Sequence, residues 1–245
     1  MKNQYLGDIN DYRKYGLLRA LQSGSNCRLL VAWMLTPDDS GRDGGLRSYL
    51  RRPEEWRRFD PKLFDGLADA LEASSAPQVS LIEGSGLLPG STFYSAVVPD
   101  TRRERDLWQQ GLMESTSGVD LVFVDPDNGI GIPSKPAGRK GSSKYITWSE
   151  IQQLWETGCS VLIYQHFRRE SREAFAALMV TELQQRTRAR FAHAFRTAHV
   201  LFLLVSQVEH EDGFQNAVSR TASRWEGQIE VMGMANNSAK GGTLG

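Results

Sequence analysis

Apolar positions along the chain follow two alternating patterns. Some stretches carry apolar residues every three or four positions, as in an amphipathic helix, and others are short and almost continuously apolar, as in a buried strand. The helix-like stretches are 10–21, 61–73, 101–113, 148–157, 170–186 and 213–225. The strand-like stretches are 28–35, 78–82, 92–98, 119–124, 160–164, 190–195, 199–205 and 228–232.

This alternation predicts an α/β fold. Strands that are apolar on both faces require helices on both sides of the sheet, which favours a mostly parallel, Rossmann-like sheet. The stretches 190–195 and 199–205 are separated by only three residues, too few for a parallel crossover, so they predict an antiparallel hairpin near the C-terminus. We expect a single domain over 1–236 and a flexible, small and polar tail over 237–245.

Composition narrows the class of protein. Of 245 residues, 40% are hydrophobic and 24% charged, which is typical of a folded globular chain. The longest apolar run, 200–205, is far shorter than the ~20 residues of a transmembrane helix, and the first residues lack the apolar segment of a secretory signal. With only Cys27 and Cys159 as cysteines, we expect a cytoplasmic protein without a membrane partner.

Charge gives no global indication of a nucleic-acid partner. Lys and Arg together number 29, as do Asp and Glu, so any such signal must be local. No sequence feature specifies an oligomeric state.

The segment 125–129, Asp-Pro-Asp-Asn-Gly, is the most informative for function. It follows the fourth predicted strand, and ligands of open α/β sheets bind beyond the carboxyl ends of strands. Asp125, Asp127 and Asn128 can accept hydrogen bonds from an amino group or bind a divalent cation. His166 follows the fifth predicted strand at the same edge, where it can act as a base, a metal ligand or a phosphate donor. Ordinary turn chemistry is the alternative for 125–129.

A long loop predicted over 130–147 carries basic residues and no acidic residue. Its basic residues are Lys135, Arg139, Lys140 and Lys144. A basic loop beside carboxylates suits a substrate that bears phosphate, and a simply solvated loop is the alternative. We predict phosphate contacts from Lys140, Lys144 and Arg168.

Two further segments are candidates for ligand contacts. Tyr12, Arg13 and Lys14 interleave aromatic and basic side chains, which could stack a base and hold a phosphate, or else pack as an ordinary helix. Asp38 and Asp39 lie in a glycine-rich loop after the first strand, where they could hold a ribose or a cation. No G-x-G-x-x-G or P-loop pattern accompanies them.

Motifs over most of the chain resemble a family of bacterial and phage proteins that share the Asp-Pro-Asp-Asn-Gly motif. The stretches that carry the resemblance are 3–16, 35–39, 123–129, 141–145 and 163–167. This resemblance implies no particular reaction.

The order of elements also resembles, more distantly, the Rossmann-like ribosomal-RNA adenine N6-methyltransferases, which use S-adenosylmethionine. These enzymes have a helix before the first strand, a catalytic Asp-Pro-Pro-aromatic motif after the fourth strand, and a terminal hairpin. Asp125 and Pro126 match the first two motif positions, whereas Asp127 and Asn128 replace the second proline and the aromatic residue. The usual glycine-rich cofactor motif after the first strand is absent.

We therefore expect a methyltransferase-like enzyme that acts on nucleic acid or a nucleotide. Asp125 would accept a hydrogen bond from the target amino group, with Asn128 and His166 orienting the substrate. Asp38 and Asp39 would hold the ribose of S-adenosylmethionine.

Two alternatives remain open. In the first, Asp125, Asp127 and Asp38 bind Mg²⁺ or Mn²⁺, and His166 acts on the attacking water of a nuclease or phosphohydrolase. In the second, the chain is a binding module without catalysis.

Overall fold

The computed structural model describes residues 1–39 and 45–233, and within them nine strands form two sheets. The strands are β1 (Leu29–Ala32), β2 (Thr92–Tyr94), β3 (Leu121–Val124), β4 (Gly129–Ile130), β5 (Tyr145–Ile146), β6 (Ser160–His166), β7 (Phe191–Arg196), β8 (Val200–Ser206) and β9 (Glu230–Gly233). The large sheet has the order β2-β1-β3-β6-β8-β7-β9, and β4 pairs with β5 separately. The predicted tail, 237–245, lies outside the described residues.

The large sheet is parallel on one side and antiparallel on the other. β2, β1, β3 and β6 are parallel neighbours, whereas β8 runs antiparallel to β6 and β7, and β9 runs antiparallel to β7. The predicted Rossmann-like α/β fold with an antiparallel C-terminal hairpin is therefore confirmed.

Helices cover both faces of this sheet. They are α1 (Ile9–Ser25), α2 (Pro53–Trp56), α3 (Pro61–Glu72), α4 (Ser80–Ser85), α5 (Arg102–Glu114), α6 (Trp148–Glu156), α7 (Arg172–Thr187) and α8 (Glu211–Arg224). Across residues 1–39 and 45–233, none of the helices is both long and apolar enough to cross a membrane.

The two covered faces explain why the central strands are apolar throughout. In β1, Leu29 and Val31 belong to the core shared with α1, α3 and α8. Leu30 and Ala32 belong to the core shared with α5, α6 and α7. Successive side chains of a strand point to opposite faces, so each central strand contributes to both cores.

The strand predicted over 78–82 is wrong, because these residues lead into helix α4. Val79 and Ile82 are both buried, and their spacing of three is that of a helical turn. Gly86, with a φ of 68°, ends the helix. The segment that begins at Asp125 therefore follows the third strand of the chain and not the fourth.

The long loop predicted over 130–147 is anchored at both ends, which the sequence did not indicate. Gly129 and Ile130 pair in parallel with Tyr145 and Ile146. The backbone N–H of Ile130 also donates to Gln165 Oε1 of β6 at 2.7 Å. The basic loop therefore leaves from and returns to the carboxyl edge of the large sheet.

Helix α1 is longer than the predicted 10–21: its N-cap is Asp8, whose side chain accepts from the backbone N–H of Asn10 at 2.8 Å. The helix ends where Asn26 adopts a left-handed φ of 55°. Gly24, within the helix, permits close packing on α8, because a Cβ there would lie 2.6 Å from Cβ of Ala217.

Gly16 marks a second close approach of α1 to the C-terminal part of the chain. A Cβ at Gly16 would lie 2.0 Å from Cζ2 of Trp225, whose ring is fully buried. A buried ring of this size has little room to move.

We predict that Gly16→Ala lowers the free energy of unfolding by about 1–3 kcal/mol, because the added methyl overpacks this contact. Gly84→Ala is the matched control, since Gly84 lies in α4 with open space around it. It should be neutral or stabilising by up to ~1 kcal/mol. Urea denaturation measures both, and equal stability of the two variants would contradict the packing described.

Candidate functional site at the carboxyl edge of the sheet

The carboxyl ends of β3 and β6 open into one cavity of about 510 Å³, which we call the sheet-edge cleft. Asp125, Asp127 and Asn128 reach it from the segment after β3, and His166 reaches it from the end of β6. Lys144 lines it from the basic loop. The structure therefore brings the four predicted catalytic residues together with one of the predicted phosphate contacts.

Lys14 of α1 also lines this cleft, but it is bound by carboxylates. Its Nζ lies 2.7 Å from Asp125 Oδ2 and 2.7 Å from Asp11 Oδ1, and all three side chains are buried. We call these three residues the buried triad. The two carboxylates and one ammonium of the triad leave one net negative charge. Because both carboxylates already contact the Lys14 ammonium, Lys14 neutralises Asp125 and does not contact a phosphate.

Burial and charge act against each other in the buried triad. Burial disfavours the ammonium of Lys14, but the carboxylates of Asp11 and Asp125 outweigh it and raise the Lys14 pKa. Burial raises the pKa of Asp11 to about 6, the Lys14 ammonium opposes this rise, and the Asp125 carboxylate adds to it. Lys14 therefore stays charged at neutral pH, and Asp11 takes up a proton on mild acidification.

Asp127 has a cationic partner of its own. Its Oδ1 lies 2.7 Å from the ammonium of Met1, and its Oδ2 accepts from the hydroxyl of Thr36 at 2.6 Å. Burial disfavours the carboxylate, but the Met1 ammonium and the Thr36 hydroxyl outweigh it and lower the Asp127 pKa. The same ammonium donates to the backbone carbonyl of Asp125 at 2.8 Å, which fixes the turn after β3.

A tight turn presents Asn128 to the cleft. Gly129 has a φ of 101°, and a Cβ there would lie 2.4 Å from Gln165 Oε1, so only glycine fits. The backbone N–H of Asn128 donates to the Lys144 carbonyl at 2.9 Å and joins the turn to the basic loop. The Asn128 side chain has no hydrogen-bond partner within residues 1–39 and 45–233, which leaves its amide available to a ligand.

His166 lies at the mouth of the sheet-edge cleft with its ring exposed. Its ring meets the Tyr164 ring edge-on, with centroids 5.2 Å apart. Although His166 reaches solvent, the neighbouring protein partly desolvates its ring and lowers the His166 pKa. The carboxylates of Asp125 and Asp127 offset part of this effect. His166 is therefore mostly neutral at pH 7 and able to accept a proton.

Sequence reasoning missed several residues of the site. Gln165 is buried behind the lining, where its Oε1 accepts from the backbone N–H of Ile130 and orients the turn. His199 lines the cleft, because Val200 pairs with His166 across β6 and β8. Asn10 joins it there, with its Oδ1 3.3 Å from His199 Nδ1.

Four predicted substrate contacts lie away from the sheet-edge cleft. The hydroxyl of Tyr12 donates to the Trp56 carbonyl at 2.9 Å, inside the core. Arg13 donates to Gln228 Oε1 at 2.6 Å and is buried. The remaining two, Lys140 and Arg168, are exposed and do not line the cleft.

The residues expected to hold the ribose of S-adenosylmethionine have other partners. Asp38 lies outside the cleft and accepts from the backbone N–H of Gln4 at 3.2 Å, and Asp39 forms an ion pair with Lys2. The Met1 ammonium donates to the Met34 carbonyl just beyond β1. In the described part of the loop after β1, the two aspartates are thus engaged by residues 2–4 and do not fit the expected ribose contact. Residues 40–44 of the same loop lie outside the described part.

The proposed divalent-cation site is no better matched. Asp125 and Asp127 each bind an ammonium group, and Asp38 does not line the cleft. The described ranges contain no group of three or more His, Cys, Asp or Glu side chains placed to hold a metal. The residues present do not fit Mg²⁺ or Mn²⁺ in this arrangement.

The lining of the sheet-edge cleft is slightly acidic, with five aspartates against three lysines and the Met1 ammonium among the described residues. Such a lining disfavours a phosphate and favours a group that donates hydrogen bonds, such as an amino group. The open amide of Asn128 and the ring of His166 can contact and deprotonate such a group.

Comparison of the chain with protein-family models and with curated protein sequences finds no match. The function argued for this cleft therefore depends on its geometry and charge.

Asp11 gives a pH test of the buried triad. Because its pKa is higher in the folded state than the ordinary 3.8, its contribution to stability is full below pH 3.8 and is lost as the pH rises through about 6. Asparagine does not titrate, so the free energy of unfolding of Asp11→Asn relative to wild type should rise on the order of 2 kcal/mol as the pH is raised from about 4 to about 7.

The control is Asp69→Asn, which changes an exposed aspartate of α3. Because Asp69 is exposed, this substitution should change the free energy of unfolding by less than ~0.5 kcal/mol. Denaturant titrations at several pH values measure both differences, and a pH-independent difference for Asp11→Asn would contradict the burial of a charged triad.

Proposed function

We propose that this chain is an enzyme that acts on the base of a nucleotide or of a nucleic acid in the sheet-edge cleft. The observation that carries the proposal is the convergence of Asn128, His166 and the buried Asp125 in one acidic cavity at the ligand edge of a Rossmann-like sheet.

Asn128 is suited to bind a base. A side-chain amide offers a donor and an acceptor in one plane, which matches the paired donor and acceptor of adenine. Its turn is held by Gln165, Gly129 and the carbonyl of Lys144. This preorganisation reduces the entropy lost on binding.

His166 is suited to move the proton. A neutral imidazole beside the base can accept a proton from an exocyclic amino group while the cleft carboxylates stabilise the imidazolium that forms. The low pKa of His166 keeps the ring in the neutral form at physiological pH. Activity should therefore fall on acidification only below about pH 6.5, the ordinary value.

The reaction at the base is a separate question. The resemblance to adenine methyltransferases implies methyl transfer. Among the described residues after β1, Asp38 and Asp39 have other partners, so the proposal is limited to base-directed chemistry, and methyl transfer remains a prediction for experiment.

Nucleosides test the proposal, since they carry a base without a phosphate. We predict that adenosine or cytidine binds with a Kd below about 1 mM in calorimetry. Asn128→Ala should weaken this binding roughly five- to tenfold through the lost hydrogen bonds. Gln110→Ala removes an exposed amide of α5 and should change it less than twofold.

Turnover is measured with labelled S-adenosylmethionine and single-stranded DNA or RNA. Incorporation of label that falls by about 10²–10⁴ in His166→Ala, and not in Gln110→Ala, would support methyl transfer. Nucleoside binding without incorporation of label would exclude methyl transfer. The cleft would then belong to an enzyme with another reaction or to a binding module. Absence of nucleoside binding would contradict the proposed function.

A further inference from the structure

A second cavity of about 500 Å³ lies between α5, α6 and the basic loop. We call it the helix-pair cleft. The residues that matter for its chemistry are Arg105, Gln109, Lys135, Trp148 and Arg186. It lies on the face of the sheet that α5, α6 and α7 cover, and it belongs to none of the predicted sites.

The helix-pair cleft is basic, in contrast to the sheet-edge cleft. Four cationic side chains and two carboxylates line it. Arg105 is neutralised by the buried carboxylate of Glu150, at 2.6 Å. Arg186 has a partly exposed partner, Glu182, and such surface pairs hold their charges weakly. Lys135 has no ion pair within the described ranges, so the mouth of the cleft retains positive charge.

Two buried polar atoms of lining residues lack hydrogen-bond partners within the described part of the chain. They are Nη1 of Arg105, a donor, and Oε1 of Gln109, an acceptor. Both residues are at least nine-tenths buried. Leaving such atoms unpaired costs about 1–3 kcal/mol each, so the wall behind the helix-pair cleft is polar and incompletely hydrogen-bonded.

An aromatic platform accompanies the charge. The guanidinium of Arg186 lies over the Trp148 ring, with its Cζ 4.6 Å from the ring centroid. A guanidinium on an indole presents a flat surface on which a base can stack. Pro133 and Pro136 add apolar wall.

We propose that the helix-pair cleft binds a nucleotide, whose phosphate meets Lys135 and Arg186 and whose base packs on the Arg186–Trp148 pair. The shared chemistry is a phosphate joined to a planar ring, either free or as part of a single strand. The inference extends the proposed function to a second site but does not depend on the reaction at the first.

The linings of the two clefts come close along the segment 128–131, which would let one strand occupy both. Asn128 lines the sheet-edge cleft and Gly131 lines the helix-pair cleft. Their Cα atoms are three residues apart and so at most about 11 Å apart. The acidic sheet-edge cleft would hold a base, whose amino group donates hydrogen bonds. The basic helix-pair cleft would hold the negatively charged phosphate of the neighbouring nucleotide.

The test is binding of a fluorescein-labelled oligothymidylate of about eight nucleotides, followed by anisotropy at low salt. Lys135→Glu should weaken binding at least tenfold. It should also reduce the slope of log K against log salt concentration by about 0.7 for each phosphate contact that is lost. Lys62→Glu is the matched control, because Lys62 is an exposed lysine of α3. It should change binding less than twofold. Trp148→Ala should weaken binding about tenfold, and Trp148→Phe should restore it.

Thymidine monophosphate distinguishes the source of the nucleotide. If thymidine monophosphate competes with the oligothymidylate, the cleft binds a free nucleotide. If only the oligothymidylate binds, the cleft binds a strand. Either result supports the site. Absence of binding, or equal loss in Lys135→Glu and Lys62→Glu, would overturn it. Loss of binding in Asn128→Ala reports on the sheet-edge cleft and loss in Lys135→Glu on the helix-pair cleft, so either proposal can fail alone.

Discussion

The ion pair between Lys14 and Asp125 is the contact on which the site depends. It joins α1 to the end of β3 across 111 residues of sequence, and both side chains are buried. A buried charge without its partner is unfavourable by several kcal/mol, so the two elements are held together. Met1 reinforces the junction through Asp127 and the Asp125 carbonyl. The floor of the sheet-edge cleft is therefore built from paired charges.

This pairing divides the polar residues of the edge into two groups. The carboxylates of Asp125 and Asp127 are bound by ammonium groups, so they shape the electrostatic field more than they contact a ligand. Asn128 and His166 keep their polar atoms free or exposed, so direct contact falls to them. An acidic field below a neutral imidazole stabilises the cation that forms when the ring accepts a proton. The basic helix-pair cleft supplies the opposite field, and its lining residue Gly131 lies three positions along the chain from Asn128.

Local sequence patterns predicted most strands of the large sheet. The apolar strands of the large sheet and the C-terminal hairpin follow from periodicity, and the shared edge of Asp125 and His166 follows from parallel pairing. The error at 78–82 arose because a five-residue apolar pattern is compatible with either a strand or a helical turn. The predicted start of α1 at residue 10 is one residue late, since the N-cap is Asp8 and helix ends are the least certain part of a periodic pattern.

The state of the site could not be predicted in the same way. Lys14 was assigned to a phosphate because its local neighbours are aromatic and basic, whereas its true partner is Asp125, which only the tertiary fold brings near. The spacing of Asp11 and Lys14 on one helix face was an available signal of an ion pair. Whether a carboxylate is open or paired depends on long-range packing, and no local pattern encodes that.

The most direct measurement is a double-mutant cycle on Lys14→Met and Asp125→Asn, with unfolding free energies from urea denaturation. Lys14→Met alone should cost about 3–5 kcal/mol, because two carboxylates lose their shared ammonium. Lys140→Met, on the exposed loop, should stay within ~0.5 kcal/mol of wild type. We expect a coupling energy of about 1–3 kcal/mol between Lys14 and Asp125. Effects that add to within ~0.3 kcal/mol would show that the two residues do not interact and that the cleft does not depend on their ion pair.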